Sequence, residues 1–274
     1  MPTARSDELR ALAQRVADAF PPEVIEVVLT GSVSRGVADD VSDIEMLVVT
    51  EEQVSLEEAF ELARQAGLEE RDSWGDPSTP TRRVSGYLDG QPVETIWWSG
   101  DHAEEHFDSG ASAEAIANGI PLRTGGRLAR WQERLREFPE DLATERIEAA
   151  AERWGGFTPA GLLTILRPGD RLQLLEWLVD AATRTLAIVY ALNRTWQPTT
   201  KRLAVRVEPL ALKPERLAER IEEALTEPDP RRALAIMTEL QLDTVRLAPS
   251  GPNVDRARTW LAQGLDLLRE PTTR

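Results

Sequence analysis

The period of the hydrophobic pattern changes along this chain, and that change limits the folds open to it. Between Val24 and Trp98 the apolar residues come in short β-branched or aromatic runs. Beyond about Gly100 they recur at three- and four-residue spacing, and strand signals nearly stop. A chain patterned in this way builds a small sheet first and helices afterwards. The expected class is α+β, with a small mixed β-sheet domain followed by an all-helical bundle domain.

The first half opens on a helical pattern from Ser6 to Phe20, closed by Pro21 and Pro22. Val24 to Leu29 is the expected first strand. A turn follows over Gly31 to Gly36, then a strand over Asp43 to Val49. Ser55 to Ala66 is helical, with Gly67 as its stop. Trp74 to Pro80 has loop composition. Arg82 to Leu88 and Pro92 to Trp98 are joined by Asp89-Gly90, a strong hairpin signal. Helical patterns then cover Gly126 to Phe138, Pro139 to Trp154, Asp170 to Trp196, Pro214 to Thr226, Pro230 to Leu247 and Val254 to Leu268. The boundary is expected at Phe138-Pro139, giving domains 1–138 and 139–274.

Composition removes several functions. The 274 residues contain no cysteine, which excludes disulfides, thiolate zinc sites and cysteine nucleophiles. No run approaches the roughly 20 apolar residues of a membrane helix. Met1 to Arg10 is polar and lacks an apolar signal core, so a cytoplasmic location is expected. The net charge of -15 disfavours a broad nucleic-acid partner. It would attract a cationic small molecule, and it equally serves solubility.

The informative segment is Gly31-Ser32-Val33-Ser34-Arg35-Gly36, followed by Ser42-Asp43-Ile44-Glu45. A strand that ends in a Gly-Ser turn and enters a helix points backbone N–H groups outward, where they bind anions. The Ser32 hydroxyl adds a donor. Asp43 and Glu45 lie two apart on a strand, so both carboxylates leave the same face. Two such charges repel unless a cation bridges them, and Mg²⁺ is the natural choice. Glu94 sits in an apolar strand, where a charged residue needs a reason. If that strand lies beside Asp43 and Glu45, three carboxylates converge and can hold two metal ions about 4 Å apart for in-line phosphoryl transfer. Each piece has a plainer meaning alone: a capped turn, a solvated strand face, an outward hairpin residue. The joint order is much less common.

These residues resemble the DNA polymerase β-type nucleotidyltransferase superfamily, whose motif is a Gly-Ser followed by two acidic residues at i and i+2. Within it the chain is similar to the antibiotic-type group, the aminoglycoside and lincosamide nucleotidyltransferases, which carry a C-terminal helical domain. The segment Tyr190 to Arg202 is similar to a helical-domain signature of related members. The resemblance implies that Asp43 and Glu45 bind both metals and that Glu94 binds one, or acts as general base. It implies that Gly31 and Ser32 hold the β- and γ-phosphates, with Lys201 reaching the triphosphate and Asn193 a second candidate. A surface role for Lys201 and a local hydrogen-bonding role for Asn193 are the plainer alternatives. Two Mg²⁺ ions, with Mn²⁺ as an alternative, and an NTP, with ATP expected, are the implied cofactor and co-substrate. The sequence departs from the pattern at Glu45, where Asp is commoner; the extra methylene loosens octahedral Mg²⁺ geometry.

His102 and His106 share a helical face as zinc ligands do, but Ala103 stands where a metalloprotease needs Glu. Trp97, Trp98, Trp154, Trp177 and Trp196 suit either a stacking cleft or core packing. The expected function is transfer of a nucleoside monophosphate to a hydroxyl of a small, aminoglycoside-like acceptor, with antibiotic resistance as the implied role. The alternatives are nucleotidylation of a protein or tRNA, and a non-catalytic nucleotide-binding protein.

Overall fold

The computed structural model of the protein describes residues 2–75, 79–155, 159–167 and 169–270. The chain divides into two compact units, Met1–Glu137 and Phe138–Arg274.

The first unit runs α1 (Ala4–Ala19), β1 (Val24–Leu29), α2 (Gly31–Ser34), β2 (Ile44–Thr50), α3 (Leu56–Gln65), β3 (Glu69–Trp74), β4 (Arg82–Leu88), β5 (Gln91–Ser99), α4 (Gly100–His106), α5 (Gly110–Ala117), β6 (Ile120–Arg123) and α6 (Arg127–Leu135). Local chemistry sets the element ends. Thr3 caps α1 by accepting from the Ser6 N–H. Ser55 and Glu58 form a reciprocal capping box on α3. Asp89 and Gly90 take φ values of 52° and 76°, as a two-residue hairpin turn requires.

The strands form one sheet in the order β3-β4-β5-β2-β1-β6. β2 and β5 are parallel neighbours, and the other pairings are antiparallel. One face carries Ile44, Met46, Val48, Val93 and Trp97 into a core closed by Leu9, Ala13 and Val16 of α1 and Ala59 and Ala63 of α3. Trp97 is fully buried and meets Phe20 edge-on, with ring centroids 5.5 Å apart. Each such side chain stabilises the fold by about 1.5–3 kcal/mol.

Two strands carry no strand pattern in the sequence. β3 falls on the polar run Glu69–Trp74, ahead of the expected loop, of which residues 76–78 lie outside the described residues. β6 is the short Ile120–Arg123, with Pro121 inside it. Both are the edges of the sheet. Edge strands tolerate charge, brevity and proline because one side needs no ladder partner, and those features erase the alternation that marks a strand in sequence.

Glu26 on β1 is fully buried. Its carboxylate accepts from the backbone N–H groups of Gly125 (2.9 Å), Arg127 (3.0 Å) and Leu128 (3.2 Å). The start of α6 has no side-chain cap of its own, since Gly126 occupies that position in a left-handed conformation. A strand carboxylate therefore satisfies the open helix end, which also explains how a buried charge is tolerated.

The second unit is helical among the described residues: α7 (Glu140–Gly155), α8 (Pro159–Thr164), α9 (Arg171–Leu192), α10 (Leu203–Val207), α11 (Leu217–Thr226), α12 (Pro230–Leu247) and α13 (Pro252–Arg269). α9 is central. Leu178, Leu186 and Val189 share a core cluster with α11 and α12, while Ile188, Ala191 and Leu192 belong to a second cluster with residues of α7, α12 and α13. The expected helix to Trp196 stops at Leu192, because Asn193 closes it and Arg194 takes φ 52°. The short α8 and α10 carry too few turns to show a period. Among the described residues no helix is long and apolar enough to cross a membrane.

Candidate active site

β1 ends at Leu29 and the chain turns at once into α2. Gly31 takes φ +69°, a left-handed conformation that glycine adopts without steric cost. A second constraint acts there. A Cβ on Gly31 would stand 1.7 Å from Glu45 Oε2. The Glu45 carboxylate therefore lies directly against the Gly31 backbone, and any side chain at Gly31 would occupy its place. The backbone ties the same elements: the Thr30 N–H donates to the Glu45 carbonyl at 2.9 Å, and the Thr30 hydroxyl donates to it at 3.2 Å. Thr30 offers no side-chain cap to α2, so the first-turn N–H groups of Gly31-Ser32-Val33 are left for other acceptors.

Asp43 immediately precedes β2, and Glu45 is its second residue. Across the parallel ladder Glu45 is the direct register partner of Glu94, and Ser85 and Asp72 continue that row on β4 and β3. In-register partners stand on the same face, with neighbouring strands about 4.8 Å apart. Asp43, Glu45 and Glu94 are all partly buried on the face opposite the α1–α3 core. The backbone thus gathers the three expected carboxylates. Their side chains point apart: Glu45 rests on Gly31, and Glu94 Oε1 accepts from Arg83 Nη1 at 2.8 Å. Among the described residues no three His, Asp or Glu side chains stand close enough together to hold one metal ion. The donor set still fits a divalent cation in chemistry and backbone placement. It consists of hard carboxylate oxygens, two in register on adjacent strands and a third two residues away in sequence.

The loop entering Asp43 is held by the start of α1. The Thr3 hydroxyl donates to the Ala38 carbonyl at 2.9 Å, and the Ala38 N–H donates to Ser6 Oγ at 2.9 Å. The Gln91 side chain donates to the Ser42 carbonyl at 2.9 Å and accepts from Arg5. These residues, like Arg83, were not singled out in the sequence. Arg83 was accessible there: the two-residue turn at Asp89-Gly90 fixes the hairpin register and sets Ser85 opposite Glu94, which makes Arg83 a diagonal neighbour of Glu94.

Asn193 and Lys201 belong to the second unit. The Asn193 amide donates to the carbonyls of Val189 (2.7 Å) and Leu212 (2.8 Å), and its Oδ1 accepts from the Leu212 N–H at 2.9 Å. That is the local hydrogen-bonding role, tying the end of α9 to the loop before α11. Lys201 is exposed in the turn before α10.

His102 and His106 do share a face of α4, with ring centroids 4.0 Å apart. Burial holds His102 below its ordinary pKa, helped by the charge of His106. Trp97, Trp98, Trp154 and Trp196 are buried. Gly125-Gly126 is a turn before α6.

Residues 9–75 match the family model described as a nucleotidyltransferase domain, and residues 108–203 match a domain of unknown function, DUF4037. The first stretch contains Gly31, Ser32, Asp43 and Glu45; the second contains Asn193 and Lys201; Glu94 lies between them. Among solved structures, the chain is similar to a nucleotidyltransferase-like protein from Exiguobacterium sibiricum 255-15, at 12% identity, over 96% of this chain and 90% of that one, with a TM-score of 0.39. A comparison with curated proteins returns no match. The strand, the Gly-Ser turn and the first two carboxylates thus fall inside the matched stretch: the chain carries a nucleotidyltransferase domain over residues 9–75 and is an enzyme of the nucleotidyl-transferring class.

Proposed function

We propose that the protein transfers a nucleoside monophosphate, AMP from ATP in the first instance, to a hydroxyl of a small acceptor, and releases pyrophosphate. The observation that carries this reading is the packing of Glu45 on the bare backbone of Gly31, beside its register partner Glu94. On this reading a phosphate-binding turn and a carboxylate pair form one site.

The proposed roles are these. The N–H groups at Gly31 and Ser32 would bind the β- and γ-phosphates. Asp43, Glu45 and Glu94 would hold divalent cations, Mg²⁺ first and Mn²⁺ as the alternative. The ions would neutralise phosphate charge and orient the reacting oxygens. The acceptor oxygen attacks the α-phosphorus while the bond from that phosphorus to the bridging oxygen breaks. Pyrophosphate takes the electron pair, and the acceptor proton passes to a carboxylate, a role proposed for Glu94. Lys201 is the proposed triphosphate contact; Asn193, whose amide and carbonyl are engaged by Val189 and Leu212, would orient the segment before Lys201, and residues 1–138 and 139–274 are the proposed functional division. The net charge of -15 favours a cationic acceptor of aminoglycoside type and disfavours tRNA.

The test is pyrophosphate release from each NTP with Mg²⁺ or Mn²⁺, across aminoglycosides, lincosamides and polyols, with Asp43→Asn as control. Release that needs one acceptor and vanishes in the variant supports the reading. Tight metal-dependent NTP binding without release would redirect it to a macromolecular acceptor. Absence of NTP binding would overturn it.

A further inference from the structure

Arg83 is a cation set against the carboxylate row. Arg83 Nη1 donates to Glu94 Oε1 at 2.8 Å, and its guanidinium lies 5.8 Å from the centre of the Trp74 ring. Trp74 is the register partner of Arg83 across β3 and β4, so indole and guanidinium stand on the same face. The Arg83 and Glu94 side chains are 46% and 28% exposed, and Trp74 is 65% exposed. All three side chains thus reach solvent.

A carboxylate bound to a guanidinium already has its counter-charge and part of its lone-pair capacity supplied. A divalent cation at Glu94 needs both. We propose that Arg83 is the resident counter-ion of Glu94, that a divalent cation must displace it, and that metal entry moves the guanidinium off Glu94 to the Trp74 side. This rests on the reading of Glu94 as a metal-site carboxylate. Arg83 is then a positioning residue. Without the metal it offsets the repulsion between Glu94 and its register partner Glu45, and it sets a threshold for metal occupancy. An ion pair this exposed is worth about a two- to fivefold effect on a competing equilibrium.

The experiment is Mn²⁺ binding to the full chain without nucleotide, followed by the electron paramagnetic resonance signal of free Mn²⁺. Wild type, Arg83→Met, Glu94→Gln and the double variant form a cycle. Arg83→Met is expected to bind Mn²⁺ about two- to fivefold tighter, and Arg83→Lys to show a smaller gain. In the Glu94→Gln background the gain should disappear. Arg15→Met, which removes an exposed pair with Asp89 at 2.7 Å, should leave affinity unchanged. Equal affinity in folded Arg83→Met and wild type would overturn the role of Arg83 and leave the metal reading standing. An equal gain with and without Glu94 would also overturn it, since only diffuse charge would then be at work. No Mn²⁺ binding by wild type would overturn both.

Discussion

Replacing Gly31 with alanine tests the close approach on which the site is built. A Cβ there would stand 1.7 Å from Glu45 Oε2, 2.8 Å from Cδ and 3.3 Å from Cβ of Glu45. Carbon and oxygen atoms in contact sit about 3.5 Å apart, so the carboxylate has to withdraw by about 2 Å. The φ of +69° adds a separate cost, about 1–2 kcal/mol for a residue with a Cβ. In a unit of this size that share alone lowers the melting temperature by about 3–10 °C. Thermal unfolding followed by circular dichroism measures the total, and Mn²⁺ binding reports the displaced carboxylate. The two costs separate in a second variant. Glu45→Asp in the Gly31→Ala background shortens the clashing side chain by one methylene, so it should recover any steric share and leave the backbone share. If Gly31→Ala melts with wild type, neither cost exists and the reasoning fails; if it melts lower but binds Mn²⁺ as wild type does, Glu45 does not rest on Gly31.

Two further outcomes follow from the first unit. Glu26→Ala removes three charge-assisted hydrogen bonds from the start of α6 and should lose about 3 kcal/mol or more in urea unfolding, with Glu26→Gln intermediate; an unchanged midpoint would show that α6 needs no cap from β1. His102 is held below its ordinary pKa by burial first and by His106 second. The unfolded chain therefore binds the proton more readily, and the contribution of His102 to stability is complete above about pH 6.5 and declines as pH falls. His102→Gln should flatten the stability profile between roughly pH 7 and pH 5, and an unaltered slope would contradict this.

The sequence exposed those parts of the fold whose cause is local. Period, caps and turn residues placed α1, β1, β2, α3 and the β4–β5 hairpin, because the chemistry that ends each element lies within a few residues of it. β3 and β6 escaped because an edge strand is defined by what it pairs with, and polar Glu69–Trp74 and Pro121 carry no alternation of their own. The site divides in the same way. Gly31, Asp43 and Glu45 stand out by spacing, and Glu94 by its charge within an apolar run. What the spacing leaves out is rotamer choice: Glu45 folds onto Gly31 and Glu94 turns to Arg83, and both depend on contacts between distant strands. Thr3 and Ser6 were invisible as site residues because their partner, Ala38, is reached only through tertiary structure.

The parallel pairing of β2 with β5 has a consequence for the order of assembly. Glu45 and Glu94 are joined through α3, β3 and β4, so their strands meet only after a loop of about fifty residues has closed. The β4–β5 hairpin, held by a two-residue turn, needs no such closure and forms faster. The two carboxylates therefore come side by side late, when the hairpin docks on β2. Their repulsion is then expected to arise only as the two three-stranded halves of the sheet join. A ligand that bridges the two strands would act on the native side of that barrier: it would slow unfolding and leave the folding rate almost unchanged.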